Sequence, residues 1–142
     1  MKPIRVLLVD DHPMLRQGLR TILEKTHDIE VVGEAGDGRQ ALDLVQKSLA
    51  DVLLLDVEMP EIDGLRVARE IKRNQIPIRI LALSAYDDNQ YVLGMLQRGA
   101  AGFLTKDEVP ALLVKAIRAV ARGEKGWISR RAHDRISSSL SK

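Results

Sequence analysis

Apolar residues fall in two alternating rhythms along this chain. Continuously apolar short runs occupy Ile4–Val9, Ile29–Glu34, Val52–Leu55, Ile78–Leu83 and Ala101–Leu104, and these predict strands. Between them, apolar positions recur every three or four residues over Pro13–Lys25 (Leu15, Leu19, Ile22, Leu23) and Gly38–Lys47 (Ala41, Leu42, Leu44, Val45). The same spacing recurs over Gly64–Arg73 (Leu65, Val67, Ala68, Ile71), Asp88–Arg98 (Val92, Leu93, Leu96) and Val109–Arg122 (Leu112, Leu113, Ala116, Ile117, Val120), which predicts a helix after every strand.

Strands that are apolar throughout, with no alternation, are expected where helices cover both faces of a sheet. Five such βα units with right-handed crossovers make an open, doubly wound parallel sheet of the α/β class. The punctuation agrees: Pro13 suits a first helical turn, Gly99 a helix C-terminus, and Pro77 separates the third helix from the fourth strand. After Gly123 the rhythm fails. Gly126-Trp127-Ile128 reads as a short irregular link, with Trp127 as a packing anchor. Ser129 could cap a weak helix carrying Ala132, Ile136 and Leu140, and the serine-rich end reads as linker. The predicted division is residues 1–123 as one domain and 124–142 as a basic linker.

Composition narrows the class. With 142 residues, 45% hydrophobic and 30% charged, the chain is the size and polarity of one globular domain, not a disordered segment. The absence of cysteine excludes a disulfide framework and thiolate metal sites. No apolar run is long enough to span a membrane and no leader is evident, so the expected location is cytoplasmic. The net charge of +2 is unevenly spread: residues 1–121 carry 16 Lys and Arg against 18 Asp and Glu, residues 122–142 six against two. A solvated basic tail explains this better than a nucleic-acid surface, because Trp127 is its only aromatic.

Candidate chemistry gathers at the strand ends. Asp10 and Asp11 follow the first strand, Asp56 the third, Ser84 the fourth, and Lys106 comes just after the fifth. Ligands of such sheets bind outside the carboxyl ends of the strands. Taken singly, Asp10 and Asp11 read as helix caps ahead of Pro13, and Asp56 as a turn-starting acid. Together the set describes a pocket for a hard divalent cation such as Mg²⁺, with Asp56 left as an anionic nucleophile towards phosphorus. Three crowded carboxylates repel one another, and the cation and Lys106 offset this. Charge neutralisation around transferring oxygens is most of what phosphoryl transfer needs, and Lys106 and the Ser84 hydroxyl supply two such contacts.

The ordered segments Val9-Asp10-Asp11-His12-Pro13, Leu55-Asp56-Val57-Glu58-Met59-Pro60 with Asp63-Gly64, Leu83-Ser84-Ala85 and Gly102-Phe103-Leu104-Thr105-Lys106 resemble the receiver domain of bacterial two-component response regulators. The resemblance covers residues 4–122. Gly33-Glu34-Ala35-Gly36-Asp37-Gly38, Arg98-Gly99-Ala100-Ala101-Gly102 and Ala119-Val120-Ala121-Arg122-Gly123 are similar to the NarL/LuxR-type subfamily. It implies a flavodoxin-like (βα)5 fold with strand order 2-1-3-4-5, and a non-enzymatic phosphorelay role. It further implies Asp56 as phosphoacceptor, Asp11 and Asp56 as direct Mg²⁺ ligands with Asp10 in the metal site, and the Glu58 backbone carbonyl as a further ligand. Ser84 would follow the phosphoryl group, Lys106 would pair with it, and Phe103 would be the aromatic switch. The implied partners are a sensor histidine kinase, a second copy on phosphorylation, and DNA only through a helix-turn-helix domain that this chain lacks. The fourth helix, fifth strand and fifth helix would form the switched surface.

The sequence departs from that pattern at a few positions. Asp107 follows Lys106 where many receivers carry proline, which leaves the isomer of that bond open, and Ser84 replaces a more frequent threonine. Glu58 and Tyr86 occupy the variable positions two residues past Asp56 and Ser84. Two other classes compete with the switch: a Mg²⁺-dependent aspartyl-phosphate phosphohydrolase, with Glu58 as its acid, and a stand-alone receiver or phosphorylation-independent interaction module. The Gly33-Gly36-Gly38 spacing does not match a dinucleotide loop and reads as a turn. His12, His27 and His133 are scattered and read as surface or capping residues.

Overall fold

A computed structural model describes residues 2–85, 89–128 and 133–134. The expectations for Tyr86, for Asp88 as a helix start and for a tail helix from Ser129 lie outside the described residues. Strands β1 (Ile4–Val9), β2 (Ile29–Ala35), β3 (Val52–Asp56), β4 (Arg79–Ser84) and β5 (Gly102–Thr105) alternate with helices α1 (Pro13–Glu24), α2 (Gly38–Lys47), α3 (Gly64–Arg73), α4 (Asn89–Gln97) and α5 (Val109–Ala121). The sheet is parallel throughout, in the order β2-β1-β3-β4-β5 with a further strand β6 (Trp127–Ile128) beside β5. The predicted doubly wound sheet and its order are therefore observed.

Successive strand residues point to opposite faces, and the two cores follow that alternation. Leu7, Val9, Leu53, Leu55, Ala82 and Phe103 face α2, α3 and α4, meeting Ala41, Val45, Val67, Ala68, Ile71, Val92 and Met95. Val6, Leu8, Val52, Leu54, Leu81, Leu83 and Leu104 face α1 and α5, meeting Leu19, Leu23, Leu113, Ala116, Ile117 and Val120. This is why the strands read as apolar at every position. Helix starts are set locally: Asp37 accepts from the Gln40 N–H at 2.8 Å and Asp63 from the Arg66 N–H at 3.0 Å. Pro13 leads α1, and Gly99 closes α4 at φ +90°.

The link expected at Gly126-Trp127-Ile128 is instead the strand β6, with Gly102 paired to Trp127 and Phe103 to Ile128. A side chain at Gly102 would press on the Trp127 carbonyl oxygen at 2.7 Å and on Leu81 Cδ1 at 3.1 Å, so glycine lets the two strands close. A two-residue strand carries too little periodicity to be read, and its cause is the open edge of β5. No peptide bond among the described residues is cis, so Lys106–Asp107 is trans. Among the described residues no helix is long and apolar enough to cross a membrane.

Candidate functional site

Three of the predicted strands run one residue further into polar sequence than their apolar runs, β3 to Asp56, β4 to Ser84 and β5 to Thr105: Asp56 pairs with Leu83 and Ser84 with Thr105. The ladder is made by backbone groups, so it carries these polar side chains into the interior at the sheet's carboxyl edge. Asp10, Asp56, Ser84 and Thr105 are all completely buried there. Asp10 sits just past β1, held by its N–H to the Ala35 carbonyl at 3.2 Å.

Lys106 closes the group. Thr105 ends β5 and caps a 3₁₀ turn, Lys106–Glu108, its hydroxyl lying 2.6 Å from both Asp107 Oδ1 and Glu108 Oε1 while Glu108 accepts from the Thr105 N–H at 3.2 Å. That turn aims Lys106 inward, with Nζ 3.2 Å from Asp10 Oδ2 and 3.2 Å from Asp56 Oδ2. The loop after β3 folds back so that the Glu58 N–H donates to Asp56 Oδ1 at 3.1 Å. Gly64 permits this by letting the start of α3 press against the Asp56 and Val57 backbone, where any Cβ would clash.

One ammonium does not balance these acids. Burial, reinforced by Asp10 and opposed by Lys106, pushes the Asp56 carboxyl up to about 8. For Lys106, burial alone would favour the neutral amine; the facing Asp56 and Asp10 outweigh it and hold the ammonium above its ordinary value. Asp10 Oδ2, Asp11 Oδ1 and Asp56 Oδ2 are buried without an aligned hydrogen-bond donor. Ligating atoms of Asp10, Asp11, His12 and Asp56 lie within 4.8 Å of one another. Unsatisfied anionic oxygens converging at that range fit a hard divalent cation.

The predicted residues Asp10, Asp56, Ser84 and Lys106 thus meet on one edge, with Asp11 beside them. Phe103 is fully buried between Ala82 and Ile128 in register. Sequence reasoning missed three participants. His12, expected as a surface or capping residue, is exposed but is not a side-chain cap: its Nδ1 lies 3.1 Å from both Asp10 Oδ1 and Asp11 Oδ1. Arg16, on α1, donates to the Asp10 carbonyl and sits 3.3 Å from Glu34, which Arg20 also grips. The signal for this was the i, i+4 spacing of Arg16 and Arg20 opposite an acid at the end of β2, legible only once β2 is placed beside β1. Glu58 was read for its backbone carbonyl and, in the competing hydrolase reading, as an acid; its side chain accepts from the Ser84 hydroxyl.

Residues 6–118 match the family described as response regulator receiver domain. The transcriptional regulatory protein NarL of Mycobacterium tuberculosis is 44% identical over 120 residues, 84% of this chain and 56% of that protein. The nitrate/nitrite response regulator NarP of Escherichia coli is 41% identical over 128 residues, 90% of this chain and 60% of that protein. The chain thus spans little more than half the length of these relatives. A crystal structure of a LuxR-family two-component response regulator from Aurantimonas superposes with a TM-score of 0.92 at 30% identity, covering 99% of this chain and all of that one.

Proposed function

Because this chain belongs to the response regulator receiver domain family and its relatives are NarL-type regulators, we propose that Asp56 accepts a phosphoryl group from a sensor histidine kinase. The N–P bond of a phosphohistidine breaks as an Asp56 oxygen bonds to phosphorus, and the departing imidazole takes a proton from solvent. The observation that carries the reading is the buried edge where Asp10 and Asp56 share one ammonium and three carboxylate oxygens lack aligned donors.

Asp11 and Asp56, with Asp10 beside them and the Glu58 carbonyl, would hold Mg²⁺. When bound, the cation supplies positive charge that keeps Asp56 anionic and screens the incoming phosphoryl oxygens. Lys106 already contacts Asp56 and is placed to pair with a phosphoryl oxygen added there. The Ser84 hydroxyl, on the neighbouring strand, offers a second donor. Phe103, buried on β5 and paired with Ala82 two residues before Ser84, would couple that site to the α4–β5–α5 surface, which would carry the signal outward. Residues 1–123 form the phosphoacceptor unit and 124–142 a basic connector whose start is stitched to β5. The relatives' greater length supports a role in controlling a transcriptional output domain, with dimerisation on phosphorylation. Glu58 is committed to Ser84 and Ala85, which weighs against a phosphohydrolase with Glu58 as its acid.

Incubation with acetyl phosphate, read by intact mass, tests the assignment. Wild type is expected to gain one phosphoryl adduct only with Mg²⁺, and Asp56→Asn none. An adduct that survives Asp56→Asn would sink it.

A further inference from the structure

Two donors at the end of β4 converge on a single carboxylate. The Ser84 hydroxyl donates to Glu58 Oε1, and the Ala85 N–H reaches Glu58 Oε2 at 3.4 Å. Glu58 belongs to the loop after β3, and its own N–H donates to Asp56 Oδ1 at 3.1 Å. The acid that would receive the phosphoryl group and the acid that holds Ser84 are therefore two residues apart in one turn. Ser84 is completely buried, whereas Glu58 keeps partial access to solvent. A serine hydroxyl has one hydrogen to donate, so it cannot serve Glu58 and a phosphoryl oxygen together.

We propose that the Glu58 side chain is a latch: it engages the Ser84 hydroxyl and the Ala85 N–H before phosphorylation, and a phosphoryl group on Asp56 must displace it to claim the same donors. The inference rests on Asp56 as phosphoacceptor. Phosphorylation replaces the single negative charge of the Asp56 carboxylate with a phosphoryl group carrying about −1.5 to −2, which increases the negative charge close to the Glu58 carboxylate. Like-charge repulsion pushes Glu58 outward, where it is already partly hydrated, while Ser84 stays buried and turns to the new acceptor. Glu58 is thus a positioning residue that opposes the switched arrangement, and Ser84 is the element over which the two anions compete.

Beryllofluoride, in excess Mg²⁺, is the probe, titrated calorimetrically into the full chain and into Glu58→Ala, Glu58→Gln, Ser84→Ala and the Glu58→Ala/Ser84→Ala double variant. Glu58→Ala is expected to bind about tenfold tighter than wild type, the scale of one charge-assisted hydrogen bond no longer to be broken. In the Ser84→Ala background the same change is expected to gain only about twofold, the remainder being charge repulsion. Glu58→Gln, which keeps an acceptor for Ser84 without the charge, falls between. Equal gains in both backgrounds, or no gain from Glu58→Ala, would overturn the latch while leaving Asp56 in place. Wild type that binds beryllofluoride no better than Asp56→Asn would overturn the phosphoacceptor assignment, and the latch with it.

Discussion

Two carboxylate–cation groups stand at opposite ends of the sheet and respond to their surroundings in opposite ways. At the carboxyl edge, Lys106 faces Asp10 and Asp56 in the interior, and the Asp56 carboxyl is pushed up to about 8 by burial and by Asp10. At the amino edge, Asp28, just ahead of β2, takes both prongs of Arg118 from α5, 90 residues away, at 2.8 Å each. There the two hydrogen bonds from Arg118 hold the Asp28 carboxyl below its ordinary range. The pairing is alike in sign and similar in distance. What differs is the count of acids per cation and the water around them: Asp28 has a bidentate partner of its own near solvent, while Asp56 shares one point charge with a second buried acid. Of the two, only the crowded edge is left with an unmet demand for positive charge.

Removing the shared cation breaks the comparison most severely. Lys106→Met is expected to cost about 3 kcal/mol at pH 9 without divalent cations, because two buried carboxylates lose their counter-charge. The loss shrinks towards pH 5, where Asp56 carries its own proton, as urea denaturation at the two pH values would show. A loss independent of pH would mean that Lys106 acts by packing its stem.

The pH profile sharpens the contrast at Asp56 itself. Its folded value, about 8, exceeds the ordinary 3.8, so the folded state binds the extra proton. Metal-free stability should therefore fall as pH rises from about 4 to about 8, by no more than about 1.4 kcal/mol per pH unit for one proton. Asp56→Asn should remove that fall, and Mg²⁺ should oppose it in the wild type. A metal-free profile unchanged by Asp56→Asn would show that Asp56 is already ionised.

Asp28 should show the reverse sign and the smallest effect. Its lowered value means that the Arg118 pair contributes stability above the unfolded carboxyl range and loses it as pH falls through the folded value. Asp28→Asn is expected to flatten that acidic limb by lowering neutral stability slightly while leaving stability at pH 2 unchanged, since pairs near solvent contribute little. Thermal melts across pH 2 to 5 would check it; a large loss at pH 7 would contradict it.

The sequence carried the site's acids and its fold clearly because both are written locally. A continuous apolar run followed by an acid, as at Val52–Asp56 or Val6–Asp10, encodes a buried strand and its polar end together. Strand ends fell short at Asp56, Ser84 and Thr105 because hydropathy stops where the backbone ladder does not. The contacts of Arg16, Glu34 and His12, and the side-chain role of Glu58, stayed hidden for a different reason. Each depends on which strands and loops are neighbours, and a charged residue's partner across the fold leaves no periodic trace.

Strand β6 also fixes a direction of travel. Because it runs parallel to β5, the chain at Ile128 is heading towards the carboxyl edge, the same edge that holds Asp56. Ile128 pairs with Phe103, two residues short of the level of Thr105, a climb of roughly 7 Å at the rise of a strand. The described chain thus reaches Ile128 pointing to the acidic pocket's side of the molecule. Had β6 run antiparallel, Ile128 would have pointed to the far pole, beside Asp28 and Arg118, with the length of the sheet between it and Asp56.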